Sequence, residues 1–184
     1  MNKFLFEPAK FMDPQRTLFA AGLTSGQHLA DLGAGSGFYA IAAGKMVGAT
    51  GLVYAVDVLE TALDHVAAEA RLYGLHNVKT LRCDLEAVNS CLAVPAGTLD
   101  YVLLANIAHQ LKNQNGVFTE AYRLLKTGGK MIVLEWNDQP SPIGPIAAQR
   151  LTPDLIGKLA TKAALKEAGT LPTDNYHYGL MFIK

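Results

Sequence analysis

The sequence predicts an α/β fold in three layers, with a doubly wound, mostly parallel sheet between two layers of helices. Segments with strand-like and helix-like patterns alternate along the chain, which is the arrangement that builds such a sheet. The strand-like segments are nearly continuous apolar runs, as expected for strands that are buried on both faces. Because the chain has 184 residues, half of them apolar, and no internal repeat, residues 1–184 are expected to form a single domain.

Residues 1–22 are interpreted as an N-terminal arm followed by a helix. The arm is expected to pack as a strap or lid, because it contains five large apolar residues, Phe4, Leu5, Phe6, Phe11 and Met12. A helix is predicted to begin after Asp13, because aspartate followed by proline is typical of an N-cap and the first helical position. Gly22 is expected to end this helix.

A glycine-rich turn after the first strand is the centre of the predicted site. It reads Asp31-Leu32-Gly33-Ala34-Gly35-Ser36-Gly37 and precedes a helix that contains Ile41 to Met46. Glycines let a ligand approach the backbone, the N–H groups of the helix start attract electron-rich groups, and Asp31 attracts a cation. An amino acid headgroup carries both kinds of charge. The glycine spacing alone is equally consistent with an ordinary turn.

The second predicted strand, Leu52–Asp57, ends in an acidic residue twenty positions after Gly37. A carboxylate at this place in a doubly wound sheet can accept hydrogen bonds from both ribose hydroxyls of a nucleoside. The alternative is a solvated charge at a strand end, but the spacing from the glycine turn favours the binding role. A helix from about Leu59 to Ala70, ended by Gly74, is predicted to follow.

Polar residues also lie at the ends of the next two predicted strands. Asp84 ends the third strand, and Asn106 follows the fourth. Because ligands of such sheets bind outside the carboxyl ends of the strands, these residues are expected to lie around one site with the glycine turn. The predicted elements of this half are Val78–Asp84, Leu99–Ala105, a helix over Gln114–Lys126 ended by Gly128 and Gly129, and Lys130–Trp136.

The order of these motifs resembles that of the class I S-adenosylmethionine-dependent methyltransferases. Asp31 to Gly37 resembles their first motif, and Leu124 to Glu135 resembles their late leucine-leucine, glycine-glycine, apolar-strand signature. The small generic branch that includes quinone-biosynthesis methyltransferases is the most similar. Arsenite methylation resembles it too, but needs additional cysteines that this sequence does not have.

The resemblance implies a role for each motif residue. The turn would hold the methionine end of S-adenosylmethionine, with Asp31 at its amino group; Asp57 would bind the ribose and Asp84 the adenine amine. Val58 and Leu85 would sandwich the adenine ring, with the backbone after Asp84 reading its edge, and Asn106 would line the methyl donor. The implied cofactor-binding set is Asp31, Gly33, Ala34, Gly35, Gly37, Asp57, Val58, Asp84, Leu85 and Asn106.

The resemblance also implies a Rossmann-like sheet whose C-terminal strand, Tyr176–Ile183, is inserted antiparallel. A helix is predicted from the Thr152 cap and Pro153 to about Gly169. Only Thr170–Asn175 then remain for a sixth strand, which is therefore expected to be short or missing.

His109 is the one candidate catalytic residue, because a neutral imidazole near the methyl acceptor can take a proton. The alternative is a histidine at a helix start that only packs or binds water. Many methyl transfers need no protein base. Cys83 and Cys91 are expected to be buried free thiols, and no metal site is predicted.

Composition narrows the class of partner. Sixteen basic and sixteen acidic residues balance, which argues against nucleic acid as the substrate and favours a small-molecule acceptor. No membrane span or signal peptide is recognised, so a cytoplasmic monomer or homodimer is expected. Two alternatives stay open: a non-catalytic cofactor-binding subunit, and a nicotinamide-dependent oxidoreductase. The fingerprint of the oxidoreductase needs a small residue where Phe38 stands, and Phe38 is expected to obstruct close packing of the strand against the helix.

Overall fold

The structure is a computed structural model that describes residues 12–87 and 91–184. The predicted arm therefore lies outside the described residues, apart from Met12. Five α-helices and seven strands are formed in the described ranges. The helices are α1 Pro14–Ala20, α2 Phe38–Val47, α3 Glu60–Leu72, α4 Gln114–Leu124 and α5 Pro153–Lys162. The strands are β1 His28–Leu32, β2 Leu52–Asp57, β3 Val78–Arg82, β4 Leu99–Ala105, β5 Leu125–Trp136, β6 Lys166–Leu171 and β7 His177–Ile183.

The seven strands form one sheet in the order β3-β2-β1-β4-β5-β7-β6. Strands β1 to β5 pair in parallel, whereas β7 runs antiparallel to both β5 and β6. The predicted α/β, doubly wound and mostly parallel fold is confirmed, including the antiparallel C-terminal strand inside the sheet. The order in which successive strands are added to the sheet reverses between β1 and β4. Such folds bind ligands at this switch point.

Helices cover both faces of the sheet because its central strands are apolar on both sides. Along β4, Tyr101 and Leu103 pack with α1, α2 and α3, whereas Val102 and Leu104 pack with α4 and α5. This alternation follows from the period of two of a strand. The core therefore has two layers, and the loops that leave the parallel strands at their carboxyl edge come together between the two layers.

The prediction that α4 continues to Lys126 is wrong. The helix ends at Leu124, and Leu125 already pairs with Leu99 as the first residue of β5. The two glycines lie inside this strand, where a Cβ at Gly129 would stand 2.9 Å from the Leu99 carbonyl oxygen. The apolar pattern through Leu125 is the same for a buried helix end and a buried strand start, so it does not locate the boundary.

The predicted extent of α5 is also wrong, and the sixth strand is present. The Thr152 cap is confirmed, since its hydroxyl accepts from the Leu155 amide. The helix ends at Lys162, followed by Ala164 with a φ of +64°, and Lys166–Leu171 form the edge strand β6. Five of the six β6 residues are exposed, so no apolar pattern marks this strand in the sequence.

Candidate functional site

The glycine-rich turn is held against the end of β2 by backbone hydrogen bonds. The amides of Gly33 and Ala34 both donate to the Val56 carbonyl oxygen, at 2.8 and 2.9 Å. Gly37 has a φ of +81° and is the N-cap of α2. This geometry turns the chain from β1 into α2 directly above the carboxyl edge of the sheet, as the sequence predicted.

The three glycines of the turn have different surroundings. A Cβ at Gly33 would stand 2.6 Å from Ile107 Cγ1, and one at Gly37 would stand 2.7 Å from Val66 Cγ2. At Gly35, where φ is +51°, no atom lies within 4 Å of such a Cβ. Gly33 and Gly37 therefore allow close packing, whereas the backbone at Gly35 has open space beside it.

Phe38 does not have the effect that the sequence argument gave it. Its side chain is 73% exposed, so it does not obstruct the contact between strand and helix. The close approach at this turn is made one residue earlier, by Gly37 against Val66 of α3. The departure from the dinucleotide fingerprint is real in sequence, but the steric reason offered for it is wrong.

Asp57 connects the turn to the loop that follows β2. Its Oδ2 accepts from the Gly35 amide and its Oδ1 accepts from the Leu59 amide, both at 2.9 Å. Val58, between them, is about half exposed. A carboxylate has about four acceptor positions, so Asp57 retains lone pairs for a further pair of donors.

The end of β3 brings Asp84 and Leu85 to the same edge. The Cys83 amide donates to the Asp57 carbonyl oxygen at 3.1 Å, and the exposed Asp84 accepts from the Glu86 amide at 2.9 Å. Leu85, in contrast, is only 7% exposed and belongs to the core. Its side chain offers little surface for stacking on a ring, contrary to the sandwich expected from the resemblance, whereas its backbone remains beside Asp84.

Asp31 is a buried carboxylate with an unsatisfied oxygen. It is 2% exposed, and its Oδ2 has no hydrogen-bond partner among the described residues. Burial raises the pKa of Asp31 from 3.8 to about 7, a shift that the Ala40 amide opposes and the neighbouring Asp57 charge reinforces. A cationic partner would stabilise the ionised form of such a carboxyl, which burial disfavours.

Asn106 stands at the end of β4 in a left-handed conformation, with a φ of +57°. Its Nδ2 lies 3.3 Å from His177 Nε2, and its Oδ1 is buried without a partner among the residues that the structure describes. Non-glycine residues are uncommon in this region of backbone space, although asparagine tolerates it best. The strand end therefore presents an unpaired amide oxygen at the switch point.

His109 is paired with a buried acid. Its Nδ1 lies 2.9 Å from Oε2 of Glu135, which is fully buried, and its backbone amide donates to Glu135 Oε1 at 3.1 Å. Because the carboxylate accepts from Nδ1, the lone pair of the neutral ring is on Nε2. The sequence argument named His109 but missed Glu135, which was read only as part of the fifth strand.

A second histidine at this edge, His177, was not identified from the sequence. Its Nδ1 lies 2.7 Å from Asp174 Oδ1, and its ring packs against Trp136 with centroids 4.1 Å apart and the ring planes tilted by 43°. Since β7 runs antiparallel, its first residue lies at the carboxyl edge of the parallel strands. The expected direction of this strand was the signal that could have placed His177 beside Asn106.

The prediction that Cys83 and Cys91 are buried is confirmed, and neither forms a disulfide. Within residues 12–87 and 91–184, no group of three or more histidine, cysteine or acidic side chains is arranged to hold a metal ion. None of the helices in these ranges is long and apolar enough to cross a membrane.

Comparison with known proteins gives a consistent result. A family model described as "Methyltransferase domain" matches residues 23–172. The ubiquinone/menaquinone biosynthesis C-methyltransferase UbiE of Escherichia fergusonii is 30% identical over 122 residues, 66% of this chain and 47% of that protein. An arsenite methyltransferase of Aquipseudomonas alcaligenes is 33% identical over 118 residues, 62% of this chain and 34% of that protein. The chain thus spans about half or less of the length of these curated relatives.

A solved structure extends the likeness to nearly the whole fold. The crystal structure of a SAM-dependent methyltransferase from Aquifex aeolicus superposes with a TM-score of 0.85 at 25% identity. The superposition covers 94% of this chain and 90% of that one. These matches favour the methyltransferase interpretation of the glycine turn over the nicotinamide alternative.

Proposed function

Because the chain belongs to the methyltransferase domain family, among the class I proteins that use S-adenosylmethionine, we propose that it transfers a methyl group to a small-molecule acceptor. The observation that carries the proposal is the buried Asp31 carboxylate, whose Oδ2 has no hydrogen-bond partner, together with the open backbone at Gly35. This pair of features fits the ammonium and carboxylate of an amino acid headgroup, which is the end of the cofactor that the first motif binds.

The remaining motif residues fit the nucleoside end of the same cofactor. Asp57 keeps acceptor positions for the ribose hydroxyls, and Asp84 is exposed beside it for the adenine amine. Val58 supplies an exposed apolar surface for one face of the ring. The side chain of Leu85 is not assigned a stacking role, because it is buried in the core.

When bound, S-adenosylmethionine supplies an electrophilic methyl group on a positively charged sulfur. The work left to the protein is to align the acceptor, exclude water and manage the acceptor proton. Asn106 and the short turn that carries His109 lie at the switch point, where they are placed to do so. Proximity and orientation of this kind can contribute several kcal/mol, up to about 7–11 kcal/mol in well-aligned cases.

We assign His109 the role of proton acceptor and Glu135 the role of its positioning residue. Glu135 holds Nδ1–H, so the Nε2 lone pair is the basic position. A hydroxyl or carbon acid would need this base, whereas an amine that is already neutral would not. The dependence on His109 therefore reports the class of the accepting atom.

Calorimetric titration with S-adenosylmethionine, S-adenosylhomocysteine and NAD tests the cofactor assignment. We expect the first two to bind and NAD not to bind, and we expect Asp57→Ala to weaken binding. Since Asp57 also holds two loops, Asp57→Asn, which retains one acceptor oxygen, is measured beside it. Asp154→Asn is the matched control, because Asp154 is exposed and pairs only with Lys158 on α5. Binding of NAD alone would contradict the proposal.

Release of S-adenosylhomocysteine in the presence of amine, thiol, phenol and quinol acceptors tests the catalytic half. Turnover with one class would establish the activity. Tight binding of both cofactor forms without turnover on any class would favour a non-catalytic cofactor-binding subunit instead.

We also propose that the chain is a single domain, that it is cytoplasmic, and that it acts as a monomer or homodimer. The balanced charge of the sequence supports a small-molecule acceptor rather than a polyanion. Light scattering coupled to size exclusion measures the oligomeric state directly.

A further inference from the structure

Three side chains form a hydrogen-bonded chain across the carboxyl edge of the sheet. Asp174 Oδ1 lies 2.7 Å from His177 Nδ1, and His177 Nε2 lies 3.3 Å from Asn106 Nδ2. The His177 ring packs on Trp136, the last residue of β5. This hydrogen-bonded series therefore extends from the start of β7 past the end of β5 to the end of β4. Strand β4 lies beside β1, which carries Asp31.

The chemistry of the three groups orients the Asn106 amide. A carboxylate only accepts hydrogen bonds, so Asp174 keeps the proton on His177 Nδ1. The neutral ring then accepts at Nε2, which selects the Nδ2 end of the amide and leaves Oδ1 facing away from the histidine. Asp174 and His177 thus act on Asn106 as positioning residues.

The oxygen that this arrangement leaves over is one of a set. Within the described part of the chain, three buried side-chain atoms have no hydrogen-bond partner: Asp31 Oδ2, Asn106 Oδ1 and Asp174 Oδ2. All three are acceptors. A buried acceptor without a donor is unfavourable, so a ligand that brings donors is favoured there.

The charge of the same region favours a cationic donor. Burial raises the pKa of Tyr39, and the carboxylates of Asp31 and Asp174 raise it further. Both carboxylates therefore act electrostatically on the same phenol. The guanidinium of Arg150 is held by the carbonyl oxygens of Asn137, Gln139 and Pro145. It lies 5.9 Å from the Trp136 ring and forms no ion pair with either carboxylate.

We propose that Asp174, His177 and Asn106 form a subsite for an amino group, and that this amino group belongs to the methyl acceptor. The proposal rests on the proposed function, since it places the subsite beside the methyl donor. The methyl donor also carries an amino group, and we assign that group to Asp31, whose Oδ2 has no partner. Asn106 is half-buried, so part of this residue lies at the surface, next to its buried Oδ1. The subsite holds the acceptor molecule and does not decide which of its atoms is methylated.

The chain carries its own reporter for this subsite. Trp136 is its single tryptophan, and it is in ring contact with His177. Its fluorescence is therefore expected to respond to a ligand that reaches the subsite. Benzylamine, benzyl alcohol and benzoate form a matched set of probes, because they share one apolar body and differ only in the polar group.

The experiment is a fluorescence titration of the full chain with each probe, in the presence of saturating S-adenosylhomocysteine. We expect benzylamine to bind at least about tenfold more tightly than benzyl alcohol, and benzoate not to bind, because only the amine supplies several charged donors. Equal binding of the amine and the alcohol would mean that any donor, including a buried water, satisfies the site, and it would overturn the proposal.

Two substitutions test the residues without unfolding the site. His177→Phe keeps a ring against Trp136 but removes both nitrogens, and Asn106→Gly keeps the positive φ but removes the amide. His177→Phe is expected to abolish the preference for the amine while retaining affinity for S-adenosylhomocysteine. Asn106→Gly is expected to abolish the same preference, and because Asn106 is also expected to line the methyl donor, the affinity of this variant for S-adenosylhomocysteine is measured separately. A purely structural role would not change that preference selectively. His76→Phe, at an exposed histidine on the opposite edge of the sheet, is the matched control.

A last arm distinguishes the two possible sources of the amino group. S-adenosylhomocysteine carries the donor's amino group, and 5′-methylthioadenosine lacks it. If His177→Phe weakens the first and not the second, the subsite serves the donor, and our assignment to the acceptor is overturned. If S-adenosylmethionine does not bind the unaltered chain at all, the proposed function fails, which is a separate result from the loss of amine preference.

Discussion

Replacement of Asp31 by asparagine separates stability from cofactor binding. The asparagine oxygen can still accept from the Ala40 amide, but the side chain stays neutral at every pH. The native Asp31 carboxyl has its pKa raised from 3.8 to about 7 by burial, so the folded protein holds this proton more tightly than the unfolded chain. The contribution of Asp31 to stability is therefore greatest at low pH and is lost as the pH rises through about 7.

The size of the effect follows from the shift. Each unit of pKa difference corresponds to about 1.4 kcal/mol, so a shift of about three units sets an upper value of about 4 kcal/mol. As the pH rises, part of this free energy is already lost below about pH 5, where the aspartate of the unfolded chain is still titrating. Between about pH 5 and about pH 8, we expect Asp31→Asn to gain about 2–3 kcal/mol in unfolding free energy relative to the native chain.

Denaturant unfolding of both proteins without ligand, at about pH 5 and about pH 8, measures the gap in unfolding free energy between Asp31→Asn and the native chain. A gap that stays constant between the two pH values would refute the reasoning, because it would mean that Asp31 does not titrate in the folded protein. The same variant is expected to bind S-adenosylmethionine at least about tenfold more weakly. Cofactor affinity of the native chain should rise through about pH 7 as Asp31 ionises, and that of the variant should not.

Two further predictions test the turn and the proton acceptor. Gly37→Ala is expected to lower the melting temperature more than Gly35→Ala, because both have positive φ but only the first places a Cβ 2.7 Å from Val66. Adding Val66→Ala should recover part of that loss, and no difference between the two glycine variants would contradict the assignment of Gly37 to packing. Glu135→Gln is expected to lower turnover at neutral pH about tenfold or more with little change in cofactor affinity, since it frees the His109 tautomer. Parallel losses of affinity and turnover would instead indicate a structural role for this pair.

Local sequence patterns explain why most strand and helix positions were predicted. The predicted β2 and β4 agree with the observed Leu52–Asp57 and Leu99–Ala105. Both are apolar runs of strand length between turn residues, which leaves little choice of boundary. The boundary at Leu124 and the edge strand β6 were not predictable in this way, since a buried helix end and an exposed edge strand have no distinctive pattern.

The sequence by itself determined the alternation of elements, the glycine turn and the polar residues at the strand ends, because these depend on neighbours within a few positions. Only the tertiary structure decided how side chains far apart in the chain meet. His109 and Glu135 are 26 positions apart, and Asn106 and His177 are 71 apart. Their contacts arise because β5 lies beside β4 and β7 enters antiparallel next to β5. Pairing across a sheet is a property of strand order and direction, which no local pattern encodes.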